Sequence, residues 1–215
     1  MKPHYTDINI VLDRSGSMQS IKADTIGGFN AFLEQQKQVP GQATITLAQF
    51  DDVYEVVYRA IPLHQAPELN DQTFVPRSST ALLDAIGRTI NETGSRLAAM
   101  AESDRPSHVI FVILTDGEEN ASQQFSALQI NQMIRHQSDV YNWEFVFLGA
   151  NQDAITTASN LGMKADQAIT YAASPAGTQA AFKAMSRNMA RFREGDFEAL
   201  AFSDADREEQ QDAGL

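Results

Sequence analysis

Short runs of branched apolar residues alternate along the chain with segments in which apolar residues recur at helical spacing. Val109–Leu114 is a nearly unbroken apolar run, which is typical of a central parallel strand covered on both faces. Before it, Leu83, Ile86 and Ile90 lie on one stripe of a predicted helix. Because parallel strands need long crossover connections, this alternation predicts a mostly parallel sheet wrapped by helices.

One pair of strands must run in opposite directions. Only Asp51, Asp52 and Val53 separate the second predicted strand from the third, which is too few residues for a crossover. The predicted fold class is therefore an α/β, Rossmann-like, doubly wound, mostly parallel six-stranded sheet with one antiparallel edge strand. The predicted strands are Ile8–Leu12, Ala43–Phe50, Tyr54–Leu63, Val109–Leu114, Trp143–Leu148 and Ala168–Tyr171. The predicted helices are Ser20–Lys37, Ala81–Met100, Ser122–His136, Asp153–Leu161 and a closing helix that ends near Arg193.

The charge of the chain is strongly acidic and is concentrated at its end. The 215 residues carry 16 Lys and Arg against 28 Asp and Glu, a net charge of −12. Half of this charge lies in residues 196–215, which hold seven acidic residues and one Arg. We predict one domain over residues 1–195 and a flexible acidic tail over residues 196–215, although Leu200 and Phe202 are able to pack on the domain.

Composition excludes several classes of function. An acidic protein has no sequence-independent hold on nucleic acid, and an anionic membrane surface repels it. No apolar run approaches the ~20 residues of a membrane-spanning helix. The chain contains no Cys, so disulfide frameworks, thiolate metal sites and cysteine nucleophiles are absent. With no apparent secretory leader before Ile8, we expect a cytoplasmic protein.

Three turns at the predicted carboxyl ends of the sheet carry an unusual set of oxygen atoms. Ligands of doubly wound sheets bind beyond these ends, where the strand order reverses. Asp13, Ser15 and Ser17 follow the first strand with alternate spacing, which lets their side chains converge. Thr80 precedes the second helix and Asp116 follows the central strand. These are hard oxygen ligands without imidazole or thiolate, which favours Mg²⁺, or Mn²⁺, over zinc or copper.

This split motif resembles the metal-ion-dependent adhesion site (MIDAS) of von Willebrand factor A (vWA) domains, and the resemblance covers roughly residues 5–195. It implies the vWA fold and a metal site formed by Asp13, Ser15, Ser17, Thr80 and Asp116. The hydroxyl groups would contact the metal, the aspartates would often act through water, and a Glu or Asp of a partner protein would complete the octahedron. The chain resembles the intracellular prokaryotic members, which often work beside ATPases, so an ATPase is a candidate partner.

Two other functions stay open at this point. A Mg²⁺-dependent phosphohydrolase would use Asp13 as its nucleophile, but such enzymes usually carry a second Asp at the position of Ser15. A structural subunit with a vestigial metal site is the other alternative. A serine triad is disfavoured because none of His4, His64, His108 and His136 falls at the carboxyl end of a predicted strand. We therefore predict a binding module with no catalytic residues.

Other polar residues near these turns have ordinary explanations. Asp51 and Asp52 are interpreted as hairpin-turn residues, and residues 118–120 as a solvated loop. Residues 151–153 are expected to border the ligand surface or to cap the next helix. The two arginines that flank the metal loops, Arg14 and Arg77, are candidates for steering an acidic partner.

Overall fold

The computed structural model describes residues 1–150 and 153–214 and contains a six-stranded sheet with helices on both faces. The predicted fold class is thereby confirmed. The strands are β1 (Lys2–Asp13), β2 (Gln42–Phe50), β3 (Tyr54–Pro62), β4 (Pro106–Thr115), β5 (Glu144–Ala150) and β6 (Ala168–Tyr171). The helices are α1 (Lys22–Gln38), α2 (Leu82–Ala98), α3 (Ala127–Tyr141), α4 (Ala154–Asn160), α5 (Pro175–Arg193) and α6 (Asp204–Asp212). Within the described ranges, no helix has the length and apolar character needed to cross a bilayer.

The strand order places the ends of β1 and β4 side by side. The order across the sheet is β3-β2-β1-β4-β5-β6. The β2 and β3 strands pair in antiparallel fashion, as their short connection predicts, and all other pairs are parallel. The chain leaves β1 toward one edge and returns at β4 on the other side, so the strand order reverses between these two strands. Their carboxyl ends form the crevice in which a doubly wound sheet binds ligands.

The sheet is buried on both faces, which explains its nearly continuous apolar strands. Along β4, Ile110, Val112 and Leu114 join a cluster that contains residues of α1 and α5. The alternate residues Phe111 and Ile113 join a second cluster, formed with α2 and α3. The strand residues next to the loops, such as Leu12 and Leu114, are buried in the first cluster. The loops at the carboxyl ends of β1 and β4 therefore start from packed residues.

The start of the third helix differs from the prediction. The sequence predicts that it begins at Ser122, but α3 begins at Ala127 and is capped by Ser126, whose side chain accepts a hydrogen bond from the Gln129 N–H. The Ser122 hydroxyl instead accepts from the Asp84 N–H and donates to Glu119. Both serines precede the same apolar stripe of α3. The hydrogen bond from Asp84 of α2 engages Ser122, so Ser126 becomes the cap.

The acidic segment after Gly195 packs on the domain, in contrast to the solvated tail that its charge led us to expect. Leu200 and Phe202 are buried in the cluster that contains α5. The helix α6 follows, and its Asp206 is buried in an ion pair with Arg187 of α5. Apolar anchoring and charges supplied by α5 together compensate for the acidic composition of this segment.

Candidate metal centre

The loop after β1 brings the first three predicted residues together. The Asp13 carboxylate is fully buried: its Oδ1 accepts a hydrogen bond from the Ser15 N–H at 2.6 Å, and its Oδ2 accepts from the Thr115 hydroxyl at 2.5 Å. Ser15 is also buried, whereas Ser17 faces solvent. The Oγ atoms of Ser15 and Ser17 are 3.2 Å apart. The carboxylate thus lies beneath a pair of adjacent hydroxyl groups.

Thr80 and Asp116 complete the group from two other loops. The Ser17 hydroxyl donates to Asp116 Oδ1 at 2.6 Å. Gly117 marks the centre of the arrangement, because a Cβ atom built on it would lie 3.0 Å from Thr80 Oγ1, 3.5 Å from Ser17 Oγ and 3.7 Å from Ser15 Oγ. The structure therefore brings all five predicted residues to one place at the carboxyl ends of β1 and β4.

The donor set fits a hard divalent cation. Adjacent ligands of an octahedral Mg²⁺ ion are about 3 Å apart when each is 2.0–2.1 Å from the ion, and the two serine oxygens already have nearly this separation. In the part of the chain that the structure describes, no three His, Cys, Asp or Glu side chains form a metal-ligating cluster. The candidate centre instead combines two carboxylates with three hydroxyl groups, which is chemistry that suits Mg²⁺ or Mn²⁺.

Burial raises the pKa of both carboxylates. For Asp13 it raises the pKa to about 6 even though hydrogen bonds from Thr115 and Ser15 act in the opposite direction, and the nearby Asp116 charge raises it further. Burial likewise raises the pKa of Asp116 against the hydrogen bond from Ser17. Two desolvated carboxylates side by side are unfavourable on their own, and a divalent cation between them would neutralise both.

Asn120 holds the loop after β4 against Thr80, a role that the sequence did not predict. Asn120 Oδ1 accepts a hydrogen bond from the Thr80 N–H at 2.9 Å, and the Thr80 carbonyl accepts from the N–H groups of Asn120 and Ala121. Residues 118–120 were interpreted as a solvated loop. Glu118 and Asn120 are exposed as that interpretation predicts, but Asn120 also fixes the backbone of Thr80, which supplies the third hydroxyl group.

Two acidic side chains, one at the start of α2 and one in the loop after β4, extend this support. Asp84 accepts hydrogen bonds from the backbone N–H groups of residues 123–125 at 2.9 Å each. Glu119 accepts from the N–H groups of Leu83, Ala121 and Ser122 at 2.7–3.0 Å. The only sequence signal for Asp84 is its place in the first turn of a helix, where an acidic residue is common for other reasons.

The remaining residues noted in the sequence have mixed outcomes. Arg14 is buried and ion-paired with Asp51, so it is not exposed to steer a partner, and Arg77 pairs with the same carboxylate. Asp153 caps α4 by accepting from the Thr156 N–H. Residues 151 and 152 lie outside the described residues. His108 stacks on Phe197 at the start of β4, at the opposite end of that strand from Asp116.

Comparison with known proteins identifies the architecture. A structure of proximal thread matrix protein 1 from the mussel byssus, described as having a zinc-occupied MIDAS motif, is 15% identical with a TM-score of 0.60. A von Willebrand factor type A structure from Catenulispora acidiphila is also 15% identical, with a TM-score of 0.56. The fold is that of a vWA domain. The vWF domain of the pilus tip protein Mfa5 from Porphyromonas gingivalis is 10% identical, with a TM-score of 0.57.

The extent of these matches differs. The structural match covers 83% of this chain and 46% of the mussel protein. It covers 86% of this chain and 42% of the Catenulispora protein, and 86% of this chain and 94% of the Mfa5 domain. The chain thus spans less than half the length of the first two structures. No protein-family model matches the chain, and no curated protein matches it in sequence. The comparisons therefore establish the fold, and the function is argued below from the site.

Proposed function

We propose that the chain is a Mg²⁺-dependent protein-binding module. Asp13, Ser15, Ser17, Thr80 and Asp116 would hold the ion, with Mn²⁺ as a substitute, and the ion would capture a Glu or Asp side chain of a partner protein. The observation that carries the proposal is the convergence of three hydroxyl groups around Gly117, with one buried carboxylate beneath them and a second beside them. A set of helix caps or turn residues has no reason to converge in this way.

The arrangement also favours an ion with an open position. Both oxygens of Asp13 already accept hydrogen bonds from protein groups, which supports a role for this carboxylate through water or as a stabiliser of the hydroxyl ligands. Neutral hydroxyl groups would then occupy much of the coordination sphere, and the ion would keep its affinity for an external anion. Ser17 faces solvent, so a partner can approach from that side.

Binding is a better interpretation of the site than catalysis. A phosphohydrolase would need Asp13 as an accessible nucleophile, but this side chain has no exposed surface and both oxygens are engaged. Ser15 and Ser17 contact each other, and Ser17 donates to Asp116; among the described residues, no histidine is hydrogen-bonded to either serine to act as base. We therefore propose a cytoplasmic binding protein rather than an enzyme. An ATPase is one partner class that the resemblance suggests.

Calorimetric titration of Mg²⁺ and Mn²⁺ into metal-free protein, with and without acetate as a carboxylate probe, tests this function. We expect saturable binding that acetate strengthens and that is lost in the double variant Ser15→Ala, Ser17→Ala. Ser20→Ala is the matched control, because Ser20 lies on the same turn and its hydroxyl donates to the Ser17 carbonyl rather than to a proposed ligand oxygen. Absence of a binding signal for the wild-type protein, both with and without acetate, would indicate a vestigial site. Binding that survives in the double variant would place the ion elsewhere.

A zinc titration is a useful companion, because the mussel structure is described with zinc in its MIDAS motif. Oxygen ligands alone do not provide the nitrogen or sulfur donors that zinc prefers. They can nevertheless hold any small divalent cation, so zinc should compete with Mg²⁺ at this site. Simultaneous binding of both ions would show that zinc occupies a different set of residues.

A further inference from the structure

The Asp51 carboxylate, which the sequence suggested to be a turn residue, lies at the junction of two loops of the candidate metal centre. Its side chain is fully buried. Oδ1 accepts a hydrogen bond from the Val53 N–H at 2.6 Å, which is the expected turn contact. Oδ2 accepts from the Nε atoms of Arg14 at 3.1 Å and Arg77 at 2.6 Å. The second set of contacts is not required to form a hairpin.

The contacts of Asp51 involve residues next to proposed ligands in the loop after β1 and in the loop before α2. Arg14 lies between Asp13 and Ser15 in the first loop. On the other side, the Asp51 carbonyl accepts a hydrogen bond from the Ala81 N–H at 2.8 Å, and Ala81 follows Thr80 directly. Asp51 therefore contacts the immediate neighbours of donors that come from two separate segments of the chain.

Backbone hydrogen bonds join the same two segments. The Arg77 N–H donates to the Arg14 carbonyl at 2.8 Å, and the Gly16 N–H donates to the Ser78 carbonyl at 3.1 Å. These two hydrogen bonds and the contacts of Asp51 together join the loop after β1 to the loop before α2. Mg²⁺ demands near-ideal octahedral geometry, so a small change in the separation of the two loops would weaken its binding.

The charges at the junction are balanced. Arg14 also pairs with Glu55 at 2.8 Å, so two arginines face two carboxylates and the formal sum is zero. Removing the Asp51 charge would leave an excess positive charge one residue from Asp13, beside a site proposed to bind a cation. Geometry and electrostatics therefore both connect Asp51 to the affinity for metal.

We infer that Asp51 is a positioning residue for the metal centre, holding the Asp13–Ser17 loop and Thr80 at the separation that Mg²⁺ requires. This inference rests on the proposed function, because it concerns the affinity of that same site. Asp51 does not touch the ion and acts through Arg14, Arg77 and the backbone of Ala81. Supporting residues of this kind typically change metal affinity 10- to 100-fold when replaced.

The test measures the affinity for Mg²⁺ and for Ca²⁺ in Asp51→Asn by calorimetry, together with thermal unfolding of the metal-free protein. We expect Mg²⁺ affinity to fall by about 10- to 100-fold and Ca²⁺ affinity to fall less, because Ca²⁺ accepts longer and more variable bonds. Equal losses for both ions, or no loss, would overturn the positioning role. The matched controls are Asp52→Asn, an exposed neighbour, and Glu55→Gln, which removes the other partner of Arg14. Because the Glu55 side chain is exposed and contacts neither metal loop except through Arg14, solvent screens its charge, and both controls should stay within about twofold, well below the effect of a positioning residue.

A second variant covers the case in which Asp51→Asn fails to fold. Arg77→Gln removes an exposed side chain that donates to Asp51. Loss of a positive charge alone would strengthen cation binding, whereas loss of the junction would weaken it. We expect weaker Mg²⁺ binding, and tighter or unchanged binding would overturn the inference. If the wild-type protein binds no metal, the proposed function and this inference both fail. If the wild-type protein binds Mg²⁺ and the variants bind it with the same affinity, the inference alone fails.

Discussion

Replacing Asp13 with Asn should stabilise the metal-free protein. Burial raises the pKa of Asp13 from 3.8 to about 6, so between these values the folded protein binds more protons than the unfolded chain. The free energy of unfolding therefore falls as the pH rises through this window, and the full penalty is present above pH 6. An interval of about two pKa units corresponds to about 3 kcal/mol.

The hydrogen bonds of Asp13 reduce this gain without cancelling it. An Asn side chain can accept from the Ser15 N–H with its oxygen and donate to Thr115 Oγ1 with its nitrogen. The Thr115 hydroxyl can then donate to the Gly117 carbonyl, which lies 3.1 Å away. The pKa of about 6 already includes the stronger hydrogen bonds that the charged carboxylate accepts, so about 3 kcal/mol is the upper limit of the gain. Because Asn replaces a carboxyl oxygen with an NH2 group, one imperfect neutral hydrogen bond costs about 1 kcal/mol, and the expected net stabilisation is about 1–2 kcal/mol.

Urea unfolding followed by circular dichroism near neutral pH measures the effect, in a chelator and in excess Mg²⁺. In the chelator Asp13→Asn should be the more stable protein. In Mg²⁺ the order should reverse, because saturation at 100 times the Kd stabilises the wild-type protein by about 2.7 kcal/mol and the variant gains nothing. Asp52→Asn, which changes an exposed carboxylate, should have the stability of the wild-type protein both in the chelator and in excess Mg²⁺. A variant that is less stable in the chelator, or that gains as much from Mg²⁺ as the wild type, would refute the reasoning.

Three further changes test other parts of the account. Gly117→Ala should weaken Mg²⁺ binding at least tenfold in calorimetry, by analogy with the loss of a supporting residue, because its Cβ would lie 3.0 Å from Thr80 Oγ1; wild-type affinity would contradict this. Gly28→Ala should lower the free energy of unfolding by about 1–3 kcal/mol, because its Cβ would overlap the Phe182 ring. Gly27→Ala should raise the free energy of unfolding by up to about 1 kcal/mol, because the space around its Cβ is open. Equal effects of the two variants in urea unfolding would contradict the packing argument. Burial acts to raise the pKa of Asp84, but hydrogen bonds from residues 123–125 outweigh it and lower the pKa below 3.8. The stability that Asp84 contributes is therefore present above pH 3.8 and is lost as the pH falls through the lowered pKa. Acid titration of the unfolding free energy should show that loss in the wild type and not in Asp84→Asn.

The fold could be predicted from local patterns because its strands are covered on both faces. The apolar residues of β4 divide between two clusters, so no polar residue interrupts the run. The three-residue connection between β2 and β3 left only an antiparallel pairing. The acidic residues after Gly195 misled the prediction, because their charge is compensated by Arg187 and Lys183 of α5, which are remote in the sequence.

The proposed ligands of the candidate site stand out in the sequence, but the residues that support them do not. Strand ends place Asp13 and Asp116 together by topology alone, and the prediction of their proximity is confirmed. The role of Asp51 depends on Arg14 and Arg77, which are 37 and 26 residues away. Asp84 likewise acts on a loop some 40 residues later. A single sequence contains no pattern that links such positions, so these residues looked like ordinary turn and helix residues.

Crystallography with Mn²⁺ tests the central claim most directly, because the anomalous signal locates the ion independently of any assumption about its ligands. Crystals of the full chain grown with Mn²⁺ and acetate should show one strong anomalous peak in direct contact with the hydroxyl oxygens of Ser15, Ser17 and Thr80. An acetate oxygen should occupy the outward-facing position. A peak coordinated by other residues, or none at this end of the sheet at saturating Mn²⁺, would contradict the account.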